Sequence, residues 1–517
     1  YTVTKIAVEA FKNCSNLTTI DFAETPEGKT AVGLEIADGS KKSDQYSTTY
    51  KSPFSNCASL AEIEFPSRTS YVGSYVFATN NTIKKVTFPA SLTSMGMSVF
   101  ESSKGIKEVI FKTYEDGENA GKTSLKEIPQ TMFAWSTLEK VTLPEGIEKI
   151  GYEAFGYCYS LTSINIPSTV TILGDKSTTS SSSEGWAFYG CTKLSSVTFA
   201  PNSSLTTIGK DAFGKACFQS IEIPATVVTI GERAFENNVK LTSVTFLVDE
   251  TDKCSALESI GSWAFQGTPV EEIILPETRK ELKLAKNMFV QCTELRKIHL
   301  SSKVASITDV FQNCKSEFEI TVADNNEYLK VHETLPLIIN ETKVTVEGEE
   351  KTIINIKFAY RQINQDVLEI PENCVAIEEN AFAGQRAIKK LVLPSGIQTI
   401  ADGAFHDCYS LTEVVFSLNE GKQSELQTLG SSNNSYGVFQ NCYSLTKIVI
   451  PNNTINQTTA YSGGVLFDKT FYQCVSLEKV DVTPAHDKIN ELDYGLYLPS
   501  NLSALGTMTA RYSGSGY

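Results

Sequence analysis

The sequence predicts a mostly β protein: a curved, right-handed solenoid of about 17 short repeats, interrupted once by a β-hairpin. The first reason is a phrase that recurs at a constant spacing, so that Leu138 returns as Leu161 and Pro144 as Pro167. The second is a phenylalanine that marks each repeat, and the third is the near absence of helical patterning. A period of roughly 20 to 30 residues, such as this one, is typical of solenoids, in which each repeat packs on its neighbours instead of folding alone.

Each repeat reads L-x-x-I-x-[IFL]-P-x-x-[VIL]-x-x-I-G-x-x-A-F-x-x-C. The I-x-I segment predicts a short strand whose apolar residues point inward at a period of two. The proline ends that strand because it has no N–H to donate to a ladder. A glycine follows the second apolar segment in several repeats, and we expect these glycines to form tight corners with unusual φ angles. They are Gly151, Gly209, Gly231 and Gly261.

The spacing of the repeat phenylalanines gives the length of each unit. Closely spaced pairs such as Phe133 and Phe155 enclose the bare unit, and more widely spaced pairs such as Phe155 and Phe188 enclose a unit with an additional polar loop. The marked positions are Phe11, Phe54, Phe77, Phe100, Phe133, Phe155, Phe188, Phe213, Phe235, Phe265, Phe289, Phe311, Phe382, Phe405, Phe439 and Phe471.

One interruption is larger than a loop. The repeat is lost between Phe311 and Phe382, and alternating apolar residues there predict a β-hairpin. We therefore expect a first solenoid block at residues 1–317, a hairpin-type insertion at 318–366, a second solenoid block at 367–482, and a C-terminal cap or tail at 483–517.

Nine of the twelve cysteines lie three residues after a repeat phenylalanine, as Cys158 follows Phe155. One thiol per repeat at a fixed position indicates packing inside the solenoid, where a small buried thiol behaves as a modest hydrophobe. We therefore expect free, buried thiols, and an occasional disulfide between repeats about 4.8 Å apart is the alternative. The nine are Cys14, Cys57, Cys158, Cys191, Cys292, Cys314, Cys408, Cys442 and Cys474.

The net charge of −15 comes from 45 basic and 60 acidic side chains. An acidic surface repels phosphate backbones and anionic lipids, so we expect neither nucleic acid nor a charged membrane surface as a partner. No apolar run approaches the roughly 18 residues of a membrane span. The chain begins in mid-repeat without Met, and we expect that a signal sequence has been removed.

The segment from Pro144 to Leu161 is a nearly intact P-x-x-V-x-x-I-G-x-x-A-F-x-x-C-x-x-L, and it resembles the BspA-like leucine-rich repeats of bacterial and protist surface proteins. The A-F-x-x-C segment and the I-x-I-P strand distinguish this phrase from ordinary leucine-rich repeats. The match covers residues 3–482, and the ADNNEY segment that begins at Ala323 is similar to an insert common in that family. The fold that this resemblance implies is a leucine-rich-repeat solenoid.

The resemblance implies an extracellular, secreted or surface-attached protein that acts in adhesion, with host matrix proteins or cell-surface ligands as partners and no catalytic residues. We also expect no cofactor. The alternative function is a structural spacer that projects another domain from the cell surface and binds nothing. A carbohydrate-processing or peptidase module is a second alternative. Three tryptophans lie near repeat phenylalanines, so we expect them to occupy core or rim positions and not to form a platform that binds sugar. They are Trp135, Trp186 and Trp263.

Candidate binding residues occupy two outward positions on the strands of the second block. The position between the two inward anchors holds valine in three successive strands, which predicts an apolar strip on the concave face. The position before the first anchor alternates in charge, which favours pairing across strands. Strand propensity and a solvated charge ladder are the alternative explanations. The candidate strip is Val392, Val415, Val449, Lys390, Glu413 and Lys447.

The sequence offers little for catalysis. It has four histidines, no H-E-x-x-H segment, no G-x-S-x-G elbow and no P-loop. His406 lies two residues from Cys408, but that cysteine occupies the buried phase of the repeat. We therefore predict that the protein is not an enzyme and holds no catalytic metal.

Overall fold

The computed structural model describes residues 3–23, 32–43, 48–175, 185–311, 314, 318–417, 425–430, 436–450, 469–482 and 504–505. These residues form strands and turns, and no helix occurs among them. The mostly β repeat fold is thereby confirmed. The chain divides into two compact units, residues 1–303 with 310–315 and residues 304–309 with 316–517. The finer block boundaries given above stay a prediction.

The described residues of the first unit form 23 strands, each two to four residues long. In chain order they are β1 (Lys5–Ile6), β2 (Leu34–Ile36), β3 (Ser40–Ser43), β4 (Thr48–Lys51), β5 (Glu62–Glu64), β6 (Thr69–Val72), β7 (Lys85–Phe88), β8 (Ser94–Met95), β9 (Glu108–Phe111), β10 (Glu127–Ile128), β11 (Lys140–Thr142), β12 (Lys149–Ile150), β13 (Ser163–Ile166), β14 (Ile172–Leu173), β15 (Ser196–Phe199), β16 (Thr207–Ile208), β17 (Ser220–Ile223), β18 (Thr229–Ile230), β19 (Ser243–Phe246), β20 (Ser259–Ile260), β21 (Glu272–Ile274), β22 (Lys283–Leu284) and β23 (Lys297–Leu300).

Most repeats of the first unit contribute one strand to each of two parallel rows. Row A contains the I-x-I strands in the orders β5-β7-β9-β11, β13-β15 and β17-β19-β21-β23, and row B contains β1-β2-β6-β8 and β10-β12-β14-β16-β18-β20-β22. The two strands outside the rows, β3 and β4, form an antiparallel pair in the loop before Phe54. Every second residue of a row A strand points inward, and β13 shows this as an alternation of exposed and buried residues.

The second unit repeats the two rows and adds the predicted hairpin. Its strands are β24 (Glu319–Val322), β25 (Lys330–Val331), β26 (Leu337–Val346), β27 (Glu349–Ala359), β28 (Val367–Glu369), β29 (Cys374–Ile377), β30 (Lys390–Leu393), β31 (Thr399–Ile400), β32 (Glu413–Phe416), β33 (Thr428–Leu429), β34 (Lys447–Ile450), β35 (Lys479–Val482) and β36 (Ala504–Leu505). Row A of this unit is β28-β30-β32-β34-β35-β36. The antiparallel hairpin β26–β27 is joined directly to row B, because β27 pairs with β29 in parallel.

The repeat phenylalanines form a column of stacked rings in the core of each unit. In the first unit, Phe155 stacks on Phe133 with ring centroids 5.0 Å apart and on Phe188 at 4.9 Å. In the second unit, the Phe382 and Phe405 rings stack at 5.1 Å. These side chains are almost completely buried, and a buried aromatic side chain contributes more apolar area than any other residue of the repeat.

The thiols at the fixed position are hydrogen-bond donors as well as packing groups. The Sγ of Cys158 donates to the carbonyl oxygen of Phe133, one repeat back, at 3.1 Å. In two repeats that lack the cysteine another donor makes the same contact: the Oγ of Ser103 donates to the carbonyl of Phe77 at 2.8 Å, and the Nδ2 of Asn238 donates to that of Phe213 at 2.6 Å. The contact recurs at 2.8–3.3 Å for Cys57, Cys191, Cys292, Cys314, Cys408, Cys442 and Cys474.

All twelve cysteines are free, which confirms the prediction of unpaired thiols. Seven of the nine phased cysteines are buried, and Cys314 is partly buried. Burial raises the pKa of Cys292 to about 11 and that of Cys474 to about 12. Because the thiolate is the reactive form, these thiols are inert near neutral pH. The prediction of burial is wrong for Cys14, which is exposed in the first repeat of the chain.

The prediction of unusual φ angles for the corner glycines is wrong. Gly151, Gly209, Gly231 and Gly261 are absent from the residues with positive φ. A Cβ at these positions would lie only 2.4–2.7 Å from backbone atoms of the preceding repeat. Close approach between successive repeats therefore requires glycine here, because any side chain would push the two backbones apart.

The left-handed conformation occurs instead on both sides of the buried phenylalanine. Glu153 (φ 51°) and Tyr157 (φ 57°) flank Phe155 two residues before and after it. The two left-handed residues therefore lie in the turns on either side of the buried ring. Asparagine and aspartate tolerate this conformation better than other residues with a Cβ. They occupy it at Asn13, Asn56, Asp211, Asn237, Asn287, Asp309, Asn380, Asp407 and Asn441.

Candidate functional site

The six residues of the candidate strip lie side by side on three neighbouring strands of the second unit. In the ladder between β30 and β32, Lys390 lies opposite Glu413 and Val392 opposite Val415. Glu413 in turn lies opposite Lys447 on β34. The Nζ of Lys390 and the Oε2 of Glu413 are 2.9 Å apart. The structure therefore brings the predicted residues together, and their role in binding stays a prediction.

The three valines of the strip are half-buried, as are two other outward residues of row A, Ile110 and His299. Glu369 lies opposite Val392 at one end of the strip, and Asp481 lies opposite Val449 at the other. The strip is thus a short apolar segment between acidic residues. A partner would bury the part of each valine that is still exposed, which favours association through the hydrophobic effect.

A second stripe, which sequence reasoning missed, lies four residues after the repeat phenylalanines of the same unit. Tyr409, Tyr443 and Val475 are 38%, 39% and 55% exposed. The Tyr409 and Tyr443 rings stack with centroids 5.2 Å apart and an interplanar angle of 11°. The signal was available in the sequence, because these residues follow Phe405, Phe439 and Phe471 at a constant spacing. We call these three residues the tyrosine stripe.

The outward face of row A is more polar in the first unit. Thr198 donates a hydrogen bond from Oγ1 to the Oδ1 of Asn165 at 2.9 Å. Charges of opposite sign pair across strands, as predicted, at Glu108 and Lys140 (3.4 Å) and again at Glu272 and Lys297 (3.2 Å). Exposed pairs of this kind contribute little to stability, roughly 0 to 1 kcal/mol.

Two carboxyl groups of the first unit are buried near the repeat turns. Burial, with the Glu101 carboxylate as a smaller cause, raises the pKa of Glu153 to about 7. Burial and the neighbouring Glu236 raise the pKa of Asp211 to about 6. Both residues occupy left-handed turn positions, and each is at most 5% exposed. These groups make the stability of the first unit depend on pH.

The pair His406 and Cys408 shows no catalytic arrangement. The Cys408 thiol donates to the carbonyl of Phe382 at 3.3 Å and is therefore held in the buried ladder. The Nδ1 of His406 lies 3.2 Å from the Oδ2 of Asp407, and burial lowers the pKa of this histidine. Within the part of the chain that the structure describes, no three His, Cys, Asp or Glu side chains are placed to hold a metal ion.

The three tryptophans lie at the rim of the first unit. Trp135 is 36% exposed and stacks on Tyr157 with centroids 5.0 Å apart. Trp186 and Trp263 are half-buried, and the guanidinium carbon of Arg233 lies 4.6 Å from the Trp263 ring centroid. One ring face of Trp135 and of Trp263 is covered by a neighbour.

No described helix has both the length and the apolar composition needed to cross a membrane.

The sequence profile of the BspA type leucine rich repeat region matches residues 1–31, 47–184, 177–252, 206–332 and 350–494. These ranges cover well over half of the chain. No curated protein sequence matches the chain significantly.

Several solved structures are similar to this chain. A leucine-rich repeat protein from Bacteroides ovatus is 20% identical, with a TM-score of 0.47, and the match covers 80% of this chain and 93% of that one. A leucine rich cell surface protein from Faecalibacterium prausnitzii is 19% identical, with a TM-score of 0.25 and coverage of 89% and 83%. The pneumococcal vaccine antigen PcpA is 18% identical, with a TM-score of 0.39 and coverage of 82% and 81%.

Proposed function

The chain belongs to the BspA type leucine rich repeat family, and on that premise we propose that it is an extracellular or cell-surface adhesion module. Its partners are host matrix proteins or cell-surface macromolecules. The module is not an enzyme, and it acts by surface complementarity. Row A of the second unit supplies the binding face.

The observation that carries this proposal is the pair of apolar features in the second unit. The half-buried valines of the candidate strip and the exposed rings of the tyrosine stripe recur in the same repeats, since Tyr409 precedes Val415 by six residues and Tyr443 precedes Val449 by six. A scaffold that only separates two domains has no need of exposed aromatic residues at a constant spacing. Tyrosine is enriched among the residues that contribute most to protein binding.

The charges around the strip give the partner an orientation. Lys390 and Glu413 neutralise one another at 2.9 Å, and acidic residues stand at both ends of the valine strip. A partner with an apolar centre and basic flanks would match this pattern. Complementary charges at the rim raise the association rate and suppress wrong partners more than they raise affinity.

The test is binding of the purified chain to an immobilised panel of matrix proteins, cell-surface proteins and glycans. We expect saturable binding to at least one protein of the panel. Val415→Glu places a charge in the centre of the strip, and Tyr443→Ala removes one exposed ring. Each variant should weaken binding at least tenfold, which is a loss of about 1.4 kcal/mol.

The matched control is Thr142→Glu, which introduces the same charge at the equivalent outward position of β11 in the first unit. It should leave binding unchanged, and the melting temperatures of all three variants should stay near that of the wild type. Full binding by both Val415→Glu and Tyr443→Ala would place the site elsewhere. A chain that binds nothing on the panel would favour the structural spacer.

A further inference from the structure

Row A of the first unit is interrupted at a place where both flanking strands are well formed. β15 pairs with β13 over four residues, and β17 pairs with β19 over four residues. Between the fully described β15 and β17, however, no ladder forms. A groove with a volume of about 690 Å³ opens along this interruption.

Backbone groups on both sides face the gap. In a parallel ladder, alternate residues of a strand direct their N–H and C=O groups to opposite sides. The N–H of Ala200 donates to the carbonyl of Ile166 at 2.9 Å, so the even-numbered residues of β15 face β13 and the odd-numbered residues face the gap. The N–H of Leu247 donates to the carbonyl of Ile223 at 2.9 Å. The even-numbered residues of β17 therefore face the gap, which gives it two strand edges.

The groove combines an apolar lining with an acidic rim. Phe199 is half-buried and Leu247 is 40% exposed, whereas Ile223 at the position equivalent to Phe199 is buried. The lining contains two acids, Glu222 and Asp249, and no Lys, Arg or His. Several acids in the outward positions of row A lie opposite a basic residue, but Glu222 lies opposite a threonine of β19. It has no ion-pair partner among the described residues.

The interruption has a signal in the sequence. Ile221, the first inward residue of β17, lies eight residues after the repeat phenylalanine Phe213, whereas Ile164 of β13 lies nine residues after Phe155. The same shortening precedes β11 and β21. Among the described strands, β11 pairs with β9 but not with β13, and β21 pairs with β19 through a single residue pair. Each shortened repeat thus borders a broken or reduced ladder, on its N-terminal side at β17 and β21 and on its C-terminal side at β11.

We propose that this groove binds an extended peptide segment of a protein partner. One apolar side chain of the peptide packs against Phe199 and Leu247, and an adjacent Lys or Arg pairs with Glu222. Peptides are commonly recognised by backbone pairing to an open strand edge, with side-chain pockets providing specificity. The volume lies in the range of roughly 300 to 1,000 Å³ that is usual for ligand pockets. This inference rests on the proposed function only in assuming a protein partner, since it uses the other unit.

The experiment selects peptides from a random display library of short peptides on the immobilised full chain. Two groove variants test each enriched peptide: Glu222→Lys reverses the rim charge, and Ala225→Trp fills the groove from a half-buried position. We expect peptides with an apolar residue beside Lys or Arg, and at least a tenfold loss of affinity in both variants. The matched control Glu62→Lys makes the same charge change on β5 and should bind as the wild type does. Circular dichroism verifies that each variant folds.

The outcomes separate this groove from the binding face of the second unit. Peptides that lose affinity in Glu222→Lys and Ala225→Trp but keep it in Val415→Glu support the groove, even if the chain binds nothing on the matrix panel. Peptides that respond only to Val415→Glu overturn the groove and support the candidate strip. A library without enriched peptides, or with peptides that bind every variant equally, also overturns the groove.

Discussion

The buried phenylalanine column and the outward column of row A belong to the same repeats, but they differ in how much the amino acid changes from one repeat to the next. Inside, the residue stays the same from one repeat to the next, and Phe155 and Phe188 stack in complete burial. Outside, the residue between the two anchors changes from Thr142 to Asn165 to Glu222, and is valine in three strands of the second unit.

The difference has a physical cause. A ring that must fill the space between two identical rings has little freedom, since interiors are packed at crystal density and a change of one methylene is felt. A side chain that points outward from the sheet can change at a cost within about 0.5 kcal/mol. The residues of the buried phenylalanine column are therefore fixed by the fold, whereas the outward residues of row A can change to suit a partner.

The largest expected effect comes from breaking the inner column. Phe155→Ala removes a ring that contacts two neighbouring rings, and we expect the free energy of unfolding to fall by about 3 to 5 kcal/mol. Urea unfolding measures this loss. Thr142→Ala, on the outward face of the same unit, should change the free energy by about 0.5 kcal/mol or less. Equal effects of the two substitutions would remove the distinction between the columns.

The second effect is the pH dependence of Glu153. Its pKa is raised from 4.5 unfolded to about 7 folded, so folding takes up a proton between these values. The burial of this carboxyl group therefore costs nothing below pH 4.5, and stability falls as the pH rises through 7. We expect Glu153→Gln to be more stable than the wild type at pH 8, by about 2 to 3 kcal/mol, with little difference at pH 4.

Thermal or urea unfolding at both pH values measures the effect of Glu153→Gln. The control is Glu62→Gln, which neutralises an exposed carboxylate on row A and should show no such difference. A Glu153→Gln variant whose advantage is the same at pH 4 and pH 8 would contradict a raised pKa.

The donor ladder gives a smaller effect. Cys158→Ala removes the donor to the carbonyl of Phe133, and we expect a loss of about 1 kcal/mol. Cys158→Ser should lose much less, because Ser103 already makes this contact in another repeat at 2.8 Å. Urea unfolding of the two variants separates hydrogen bonding from packing. If serine costs as much as alanine, the thiol acts through its apolar volume alone.

The smallest effect is expected from the outward charges. Glu413→Gln breaks the pair with Lys390 in the second unit, and we expect the free energy of unfolding to fall by less than about 1 kcal/mol. The loss should shrink further in 1 M salt, where exposed charges are screened within about 3 Å. Binding to a partner should respond more strongly than stability. A loss of several kcal/mol would mean that this pair belongs to the fold.

Much of the fold and part of the site followed from patterns in the sequence. The I-x-I period placed Val392 and Val415 outward on neighbouring strands, and the ladder between β30 and β32 sets them opposite one another. The hairpin was predicted from the alternation between Phe311 and Phe382, and β26 and β27 form it. The tyrosine stripe was missed because an exposed turn residue follows no hydrophobic period, although its spacing after each phenylalanine is constant.

The sequence by itself determined the repeat, the alternation of inward and outward residues, and the buried position of the phenylalanines and thiols. All of these follow from short-range periodicity, which is the same in every repeat. Only the tertiary structure decided what depends on contacts between repeats. Gly151 is needed because the preceding backbone lies too close for a side chain, Cys158 donates to a carbonyl 25 residues away, and the ladder stops between β15 and β17. A pattern read along one chain does not contain the distance between two of its turns, and that distance determines each of these three features.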